Sequence, residues 1–237
     1  MTAAAIHHDG LAELRPDGTL DLHFHPGQWK LWQSERRFLL ALAGTQGGKT
    51  SFGPHWLFRE IQWCGPGDYM VVTPTYPLLE AKALPELLRL FDTWLNLGQF
   101  IRDGRKFIFS PDGARRTFQT YDARREPETR VMFGYATDPE SLEAATAKAL
   151  WADEPGQAKF KLSSWEALRR RLSIHRGRAL FTTTPYNLGW VKQQLYDRWL
   201  AGDPDIEVSR FESVMTPMFP REEFEDARRS LPRWKCD

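Results

Sequence analysis

The stretch from Arg37 to Thr50 constrains the fold more than any other part of the chain. Phe38-Leu-Leu-Ala-Leu-Ala43 is an unbroken apolar run of strand length, and it breaks into Gly44-Thr-Gln-Gly-Gly-Lys-Thr50. A helical pattern follows from Thr50 to Gln62 and stops at Gly65-Pro66-Gly67. A strand that is apolar at every position is covered on both faces, as in a parallel sheet. Glycines let the following backbone wrap an anion, and the first N–H groups of the helix point at it. The segment fits the Walker A pattern except that Ala43 stands where the first glycine is usual. Gly44, Thr45, Gln46, Gly47, Gly48, Lys49, Thr50 and Ser51 are therefore candidate phosphate contacts. Lys49 would supply the point charge and the Thr50 hydroxyl would hold magnesium.

A second segment supplies the other half of such a site. Leu150-Trp-Ala-Asp-Glu154 is the end of another apolar run carrying two adjacent carboxylates, the Walker B arrangement. Asp153 would hold magnesium through water, and Glu154 would orient and deprotonate the attacking water. The paired Glu154 favours hydrolysis over transfer of the phosphoryl group to an acceptor.

Strand and helix patterns alternate over most of the remaining chain. Strands are expected at Tyr69–Thr73, Lys106–Ser110, Arg115–Tyr121, Val131–Tyr135, Ala179–Thr183 and Ile206–Phe211. Helices are expected from Pro26, over Leu78–Trp94, Trp165–Arg171, Val191–Ala201 and Arg221–Ser230. Pro111-Asp-Gly113 reads as a hairpin turn, and residues 1–25 as a loose arm or a small hairpin around Pro16-Asp-Gly18. The fold class is α/β, with a largely parallel central sheet flanked by helices.

Composition mainly excludes. The 237 residues carry a formal net charge of +1, so any nucleic-acid surface must come from local clustering. Arg102, Arg105, Lys106, Arg115, Arg116, Arg124 and Arg125 form the one such crowd, equally readable as solvated surface. No apolar stretch is long enough to span a bilayer, and residues 1–10 lack the apolar run of a signal peptide. Cys64 and Cys236 offer no metal or disulfide spacing, which suits a reducing compartment. His23 and His25 have no third ligand nearby, so no metal is assigned to them, and most of the ten Trp are expected in the core.

These motifs, in this order, resemble the ATPase domain of phage terminase large subunits, the motors that pump DNA into capsids. Phe24-His-Pro-Gly-Gln28 resembles the family's adenine-recognising Q motif, and Thr182-Thr-Thr-Pro185 with Gly189-Trp190 resembles its coupling motif. The likeness covers about residues 24–232. It implies an additional-strand, RecA-like P-loop NTPase core over 1–205, with 1–25 as an arm, and a lid or linker over 206–237. It also implies ATP and Mg2+ as ligands, Gln28 reading the base, and Thr183 and Thr184 coupling hydrolysis to movement. Double-stranded DNA, a portal protein, a small terminase subunit and a ring of copies, pentameric in the family, are the implied partners. The implied place is the host cytoplasm, at the procapsid portal.

Full terminases continue into a nuclease domain for which these 237 residues have no room, so nuclease activity is not expected. Relatives place a transition-state arginine within Walker A, where Thr45 stands here, or just before Walker B, where Glu143 stands. Arg171, with Arg170 and Arg176, becomes the candidate finger, against the alternative of a solvated helix face. The rival functions are a helicase- or recombination-type ATPase, which would need a second such domain, and a nucleotide-binding switch or kinase.

Overall fold

The computed structural model describes residues 7–44, 47–138, 142, 146–185 and 188–211. An eight-stranded sheet runs in the order β11-β4-β10-β9-β5-β8-β7-β6. Its parallel part comprises β4 (Phe38–Ala43), β5 (Asp68–Thr73), β8 (Arg130–Tyr135), β9 (Ala149–Asp153), β10 (Arg178–Thr183) and β11 (Ile206–Phe211). The β6 (Gly98–Ile101) and β7 (Lys106–Phe109) hairpin adds antiparallel strands at one edge. The chain has a P-loop NTPase fold.

Phe38 through Ala43 and Ala149 through Asp153 are buried at every residue, as both-face coverage requires. One face packs α2 (Lys49–Cys64) and a helical run over 76–94, α3, through Phe52, Trp56, Leu87 and Phe91. The other face packs α5 (Leu162–Arg171) and a helix over 192–200, α6, through Trp165, Leu168 and Leu195. The 76–94 helix is expected from its spacing, but it contains π-helical turns at Leu79–Ala83 and Arg89–Trp94. Pro85 lies just after the first, where it has no N–H to donate to the preceding turn. No helix among the described residues is long and apolar enough to cross a membrane.

Of the two expectations for the N-terminal arm, the small hairpin around Pro16-Asp-Gly18 is the one observed, as Ala12–Leu14 paired with Leu20–Leu22 in a three-stranded sheet. Three short antiparallel strands, β1 (His7–His8), β2 (Ala12–Leu14) and β3 (Leu20–Leu22), form a small sheet. Asp9 pins it to the body: its carboxylate accepts from Leu11 and Ala12 N–H and meets Arg89 at 2.9 Å and His55 at 3.7 Å.

Two expectations are overturned. Residues 111–117 form a helix, α4 (Pro111–Thr117), rather than a hairpin turn leading into a strand at 115–121. Ser110 accepts from Gly113 N–H as the N-cap and Pro111 takes the first helical position, where its missing donor costs nothing. The hairpin lies one strand earlier, through the turn at 102–105 between β6 and β7. Second, Ile206–Phe211 does not begin a lid: β11 pairs in parallel with β4 along its whole length and is the edge strand of the core. The core thus reaches Phe211, past the boundary drawn at 205. The helix expected at Arg221–Ser230 lies outside the described residues.

Candidate nucleotide site

The carboxyl ends of β4, β9 and β10 converge, and each delivers one motif. From β4 the chain turns through the glycine loop into α2. Gly48, the residue capping α2, has φ +69, a left-handed conformation that glycine adopts without a side-chain clash. Lys49 is buried, its Nζ donates to the Gly44 carbonyl at 2.8 Å, and Thr50 and Ser51 occupy the first turn. Thr45 and Gln46 lie outside the described residues, as do Glu143 and residues 139–141.

From β9 come the two carboxylates. Asp153 is completely buried and Thr50 Oγ1 donates to it at 3.3 Å. Thr182 Oγ1 donates to Asp153 at 2.7 Å and accepts from Trp151 Nε1 at 2.9 Å. Burial, reinforced by the neighbouring Glu154 charge, raises the Asp153 pKa to about 7, against the opposing pull of Thr182 and Lys49. Glu154 has φ +55, uncommon for a residue with a β-carbon, and its N–H donates to Thr182 O at 2.7 Å. Its carboxylate accepts from Thr183 Oγ1, Thr184 N–H and Thr184 Oγ1, each at 3.3 Å, and lies 4.0 Å from Lys49. The coupling-motif threonines from β10 thus hold the Glu154 side chain directly. Burial lowers the Lys49 pKa, with Glu154 and Asp153 opposing.

The donor set fits magnesium. A fully buried carboxylate beside a hydroxyl and a second carboxylate, with Lys49 as the one cation in direct contact, is a hard-oxygen site short of positive charge. No group of three or more His, Cys, Asp or Glu suited to a metal occurs among the described residues.

Gln28 is joined to the phosphate loop by its side chain. It is fully buried in α1 (Pro26–Gln33), its Oε1 accepts from His25 N–H, and its Nε2 donates to the Gly48 carbonyl, both at 3.3 Å. His25 is the reciprocal half of this capping box: Nδ1 accepts from Gly27 and Gln28 N–H, and the ring packs 4.4 Å from Phe211. The pair ties α1 to the phosphate loop. A protonated Nδ1 could not accept those bonds, and burial depresses the His25 pKa from 6.5 to about 4. Between these values the unfolded chain binds the proton and the folded one does not, so this contribution is complete above pH 6.5 and is lost as pH falls toward 4. It amounts to about 3 kcal/mol at most. Thermal melts of His25→Asn, which keeps a capping oxygen without titrating there, are expected to fall less steeply over that window than the parent's.

Thr182, Trp151 and His25 stand inside the motifs marked in the sequence, but the sequence assigns them no role; their bonds to Asp153, Thr182 and Gln28 come only with the fold. Arg171 is not brought here. Its carbonyl accepts from Ala147 N–H, just before β9 begins, so it lies by the amino end of β9, opposite Asp153 at the carboxyl end. The basic crowd at 102–125 is dispersed over the β6–β7 turn, α4 and the loop beyond. Arg105, Arg115 and Arg125 pair with Asp138, Asp112 and Asp122.

No family model and no curated protein matches this sequence. Solved structures do match it. The large terminase ATPase domain of Thermus phage P74-26, solved as a point mutant, superposes with TM-score 0.65 at 19% identity, covering 91% of this chain and 92% of that one. The chain has the fold of a large terminase ATPase domain. The large terminase of a thermophilic bacteriophage, in complex with ADP, gives TM-score 0.66 at 14% identity over 89% of this chain. The same protein in complex with ATP-gamma-S gives 0.64. The present chain spans about half the length of that second terminase.

Proposed function

We propose that this chain is the ATP-hydrolysing motor domain of a phage terminase large subunit, driving double-stranded DNA into a procapsid. The observation that carries this reading is Glu154: a buried carboxylate at the end of a Walker B strand, 4.0 Å from the phosphate-loop lysine and held by three hydrogen bonds from Thr183 and Thr184. A second carboxylate beside the magnesium-binding Asp153 suits activation of water, as hydrolysis needs. The likeness in fold to two large terminases, one crystallised with ADP and with ATP-gamma-S, supports the same reading.

In this mechanism the α2 N-terminus and Lys49 bind the phosphates and offset the charge that develops on them. Thr50 and Asp153 would hold the magnesium ion, which supplies charge neutralisation on the phosphate oxygens when bound. Glu154 orients a water and takes its proton. Because Thr183 and Thr184 donate to that same carboxylate, its protonation weakens their bonds and signals the hydrolysis step to β10 and the segment after it. A ring of copies on a portal protein, joined by a small terminase subunit in the host cytoplasm, is the assembly in which the signal would move DNA. An arginine from a neighbour, Arg171 first, would complete the site in trans, since it lies by the amino end of β9, away from its own Asp153.

Phosphate release measured with and without double-stranded DNA, over a range of protein concentrations, tests the proposal. Turnover that rises with concentration and with DNA is expected, and mixing Arg171→Ala with Glu154→Gln subunits should restore part of it. Tight ATP binding without phosphate release under any of these conditions would leave a nucleotide-binding switch. Gln28 is assigned to supporting Gly48, so Gln28→Ala is expected to weaken ATP and GTP binding by similar factors. Loss of ATP preference alone would return Gln28 to reading the adenine edge.

A further inference from the structure

The amino ends of β4, β10 and β11, opposite the nucleotide site, carry a basic cavity of about 530 Å³, outside the reading above. Arg36 and Arg37 precede β4, Arg176 and Arg178 lead into β10, and Asp205 precedes β11, so three adjacent parallel strands bring them to one place. Glu35 completes the charged lining.

The four arginines are not equally committed. Arg178 is spent on structure, bonding Glu60 and the Ser34 carbonyl at 2.5 Å and the Arg36 carbonyl at 3.0 Å. Arg36 donates to the Pro204 carbonyl. Arg37 donates Nε to the Gly177 carbonyl at 3.2 Å and lies over the Phe38 ring at 5.0 Å, while its Nη groups make no hydrogen bond among the described residues. The Arg176 side chain makes no hydrogen bond among the described residues, although its backbone is held at φ +49 with its N–H on Ser173 O at 3.2 Å. Neither carboxylate in the lining lies within ion-pair distance (4.0 Å) of any of these arginines. Arg37 is half-buried, and beyond the cost of burial its charge is opposed by Arg169 and Arg176 and supported in part by Asp205. Four arginines thus share the lining with two carboxylates, neither of them in contact with Arg37 or Arg176, and a bound anion would offset the remaining positive charge.

We propose that this cavity is a second phosphate-binding site, in which the Arg37 and Arg176 guanidinium groups clasp one phosphate group. Two forks converging on one anion suit the several acceptor oxygens of a phosphate better than the two of a carboxylate. The same group is presented by a nucleic-acid backbone and by a small free phosphate.

The test uses the whole chain with its nucleotide site saturated by ADP, so that the phosphate loop does not report. Inorganic pyrophosphate and a short DNA duplex are titrated separately against the parent, Arg37→Gln, Arg176→Gly and Glu35→Gln. Loss of either arginine is expected to weaken pyrophosphate binding about tenfold, as for a charge-assisted hydrogen bond. Glu35→Gln is expected to tighten it, a gain that a folding defect cannot imitate. If duplex binding falls in parallel, with the salt slope reduced by about one per arginine, the natural ligand is a nucleic-acid backbone. If only pyrophosphate binding falls, it is a small phosphate. Unchanged pyrophosphate binding in both arginine variants, or equal competition by polyglutamate, would overturn the proposal.

Discussion

Glu154→Gln should bind ATP and fail to hydrolyse it, with kcat reduced ~10²–10⁴-fold, the usual contribution of a positioned general base. The amide keeps the size of the carboxylate and can still offer an oxygen to Thr183 and Thr184, which donate to Glu154 at 3.3 Å. What it loses is the ability to take a proton. Lys49→Ala fails by another route: its loss removes the buried cation that faces the phosphates, so binding and turnover fall together. Single-turnover phosphate release beside equilibrium ATP binding separates the two. Turnover near the parent's in Glu154→Gln would remove Glu154 as the base. Loss of binding in that variant would make its role structural.

The second large effect is on folding, and it falls on a glycine. A β-carbon at Gly53 would lie 2.1 Å from Cε2 of Trp151, well inside van der Waals contact. Neither partner has room to move. Trp151 is fully buried in β9 and bonded through Nε1 to Thr182, while α2 is anchored by the phosphate loop at its start. Gly53→Ala is therefore expected to cost about 3 kcal/mol, at the upper end for overpacking, and to lower the melting temperature by roughly 6–12 °C. Because Trp151 leads through Thr182 to Asp153, nucleotide binding should weaken as well. An unchanged melting temperature would mean that α2 does not sit this close to β9.

Much of the fold was legible in short windows. Phe38–Ala43, Tyr69–Thr73 and Ala179–Thr183 read as strands from largely apolar runs, Ala147–Ala152 from a run interrupted by Lys148, and Val131–Tyr135 from alternation, and all lie in strands or at their ends. Lys49, Thr50, Asp153 and Glu154 were legible because glycine spacing and paired carboxylates at strand ends are local chemistry. The failure at 111–121 was also local: Pro-Asp-Gly serves a hairpin and a helix start alike, and only Ser110 as N-cap settles which.

By itself, then, the sequence determined most of the parallel strands, where the glycine loop breaks, and where the paired carboxylates stand. These depend on periodicity and backbone freedom over about ten residues. The tertiary structure alone decided that β11 flanks β4 and that Arg171 lies by the end of β9 opposite Asp153. It alone turned Gln28 toward Gly48, set Thr183 and Thr184 on Glu154, and gathered Arg37 and Arg176 around one cavity. The physical reason is that an apolar run records that a strand is covered, but not by what. Strand order and the meeting of side chains far apart in sequence come from packing all the faces at once.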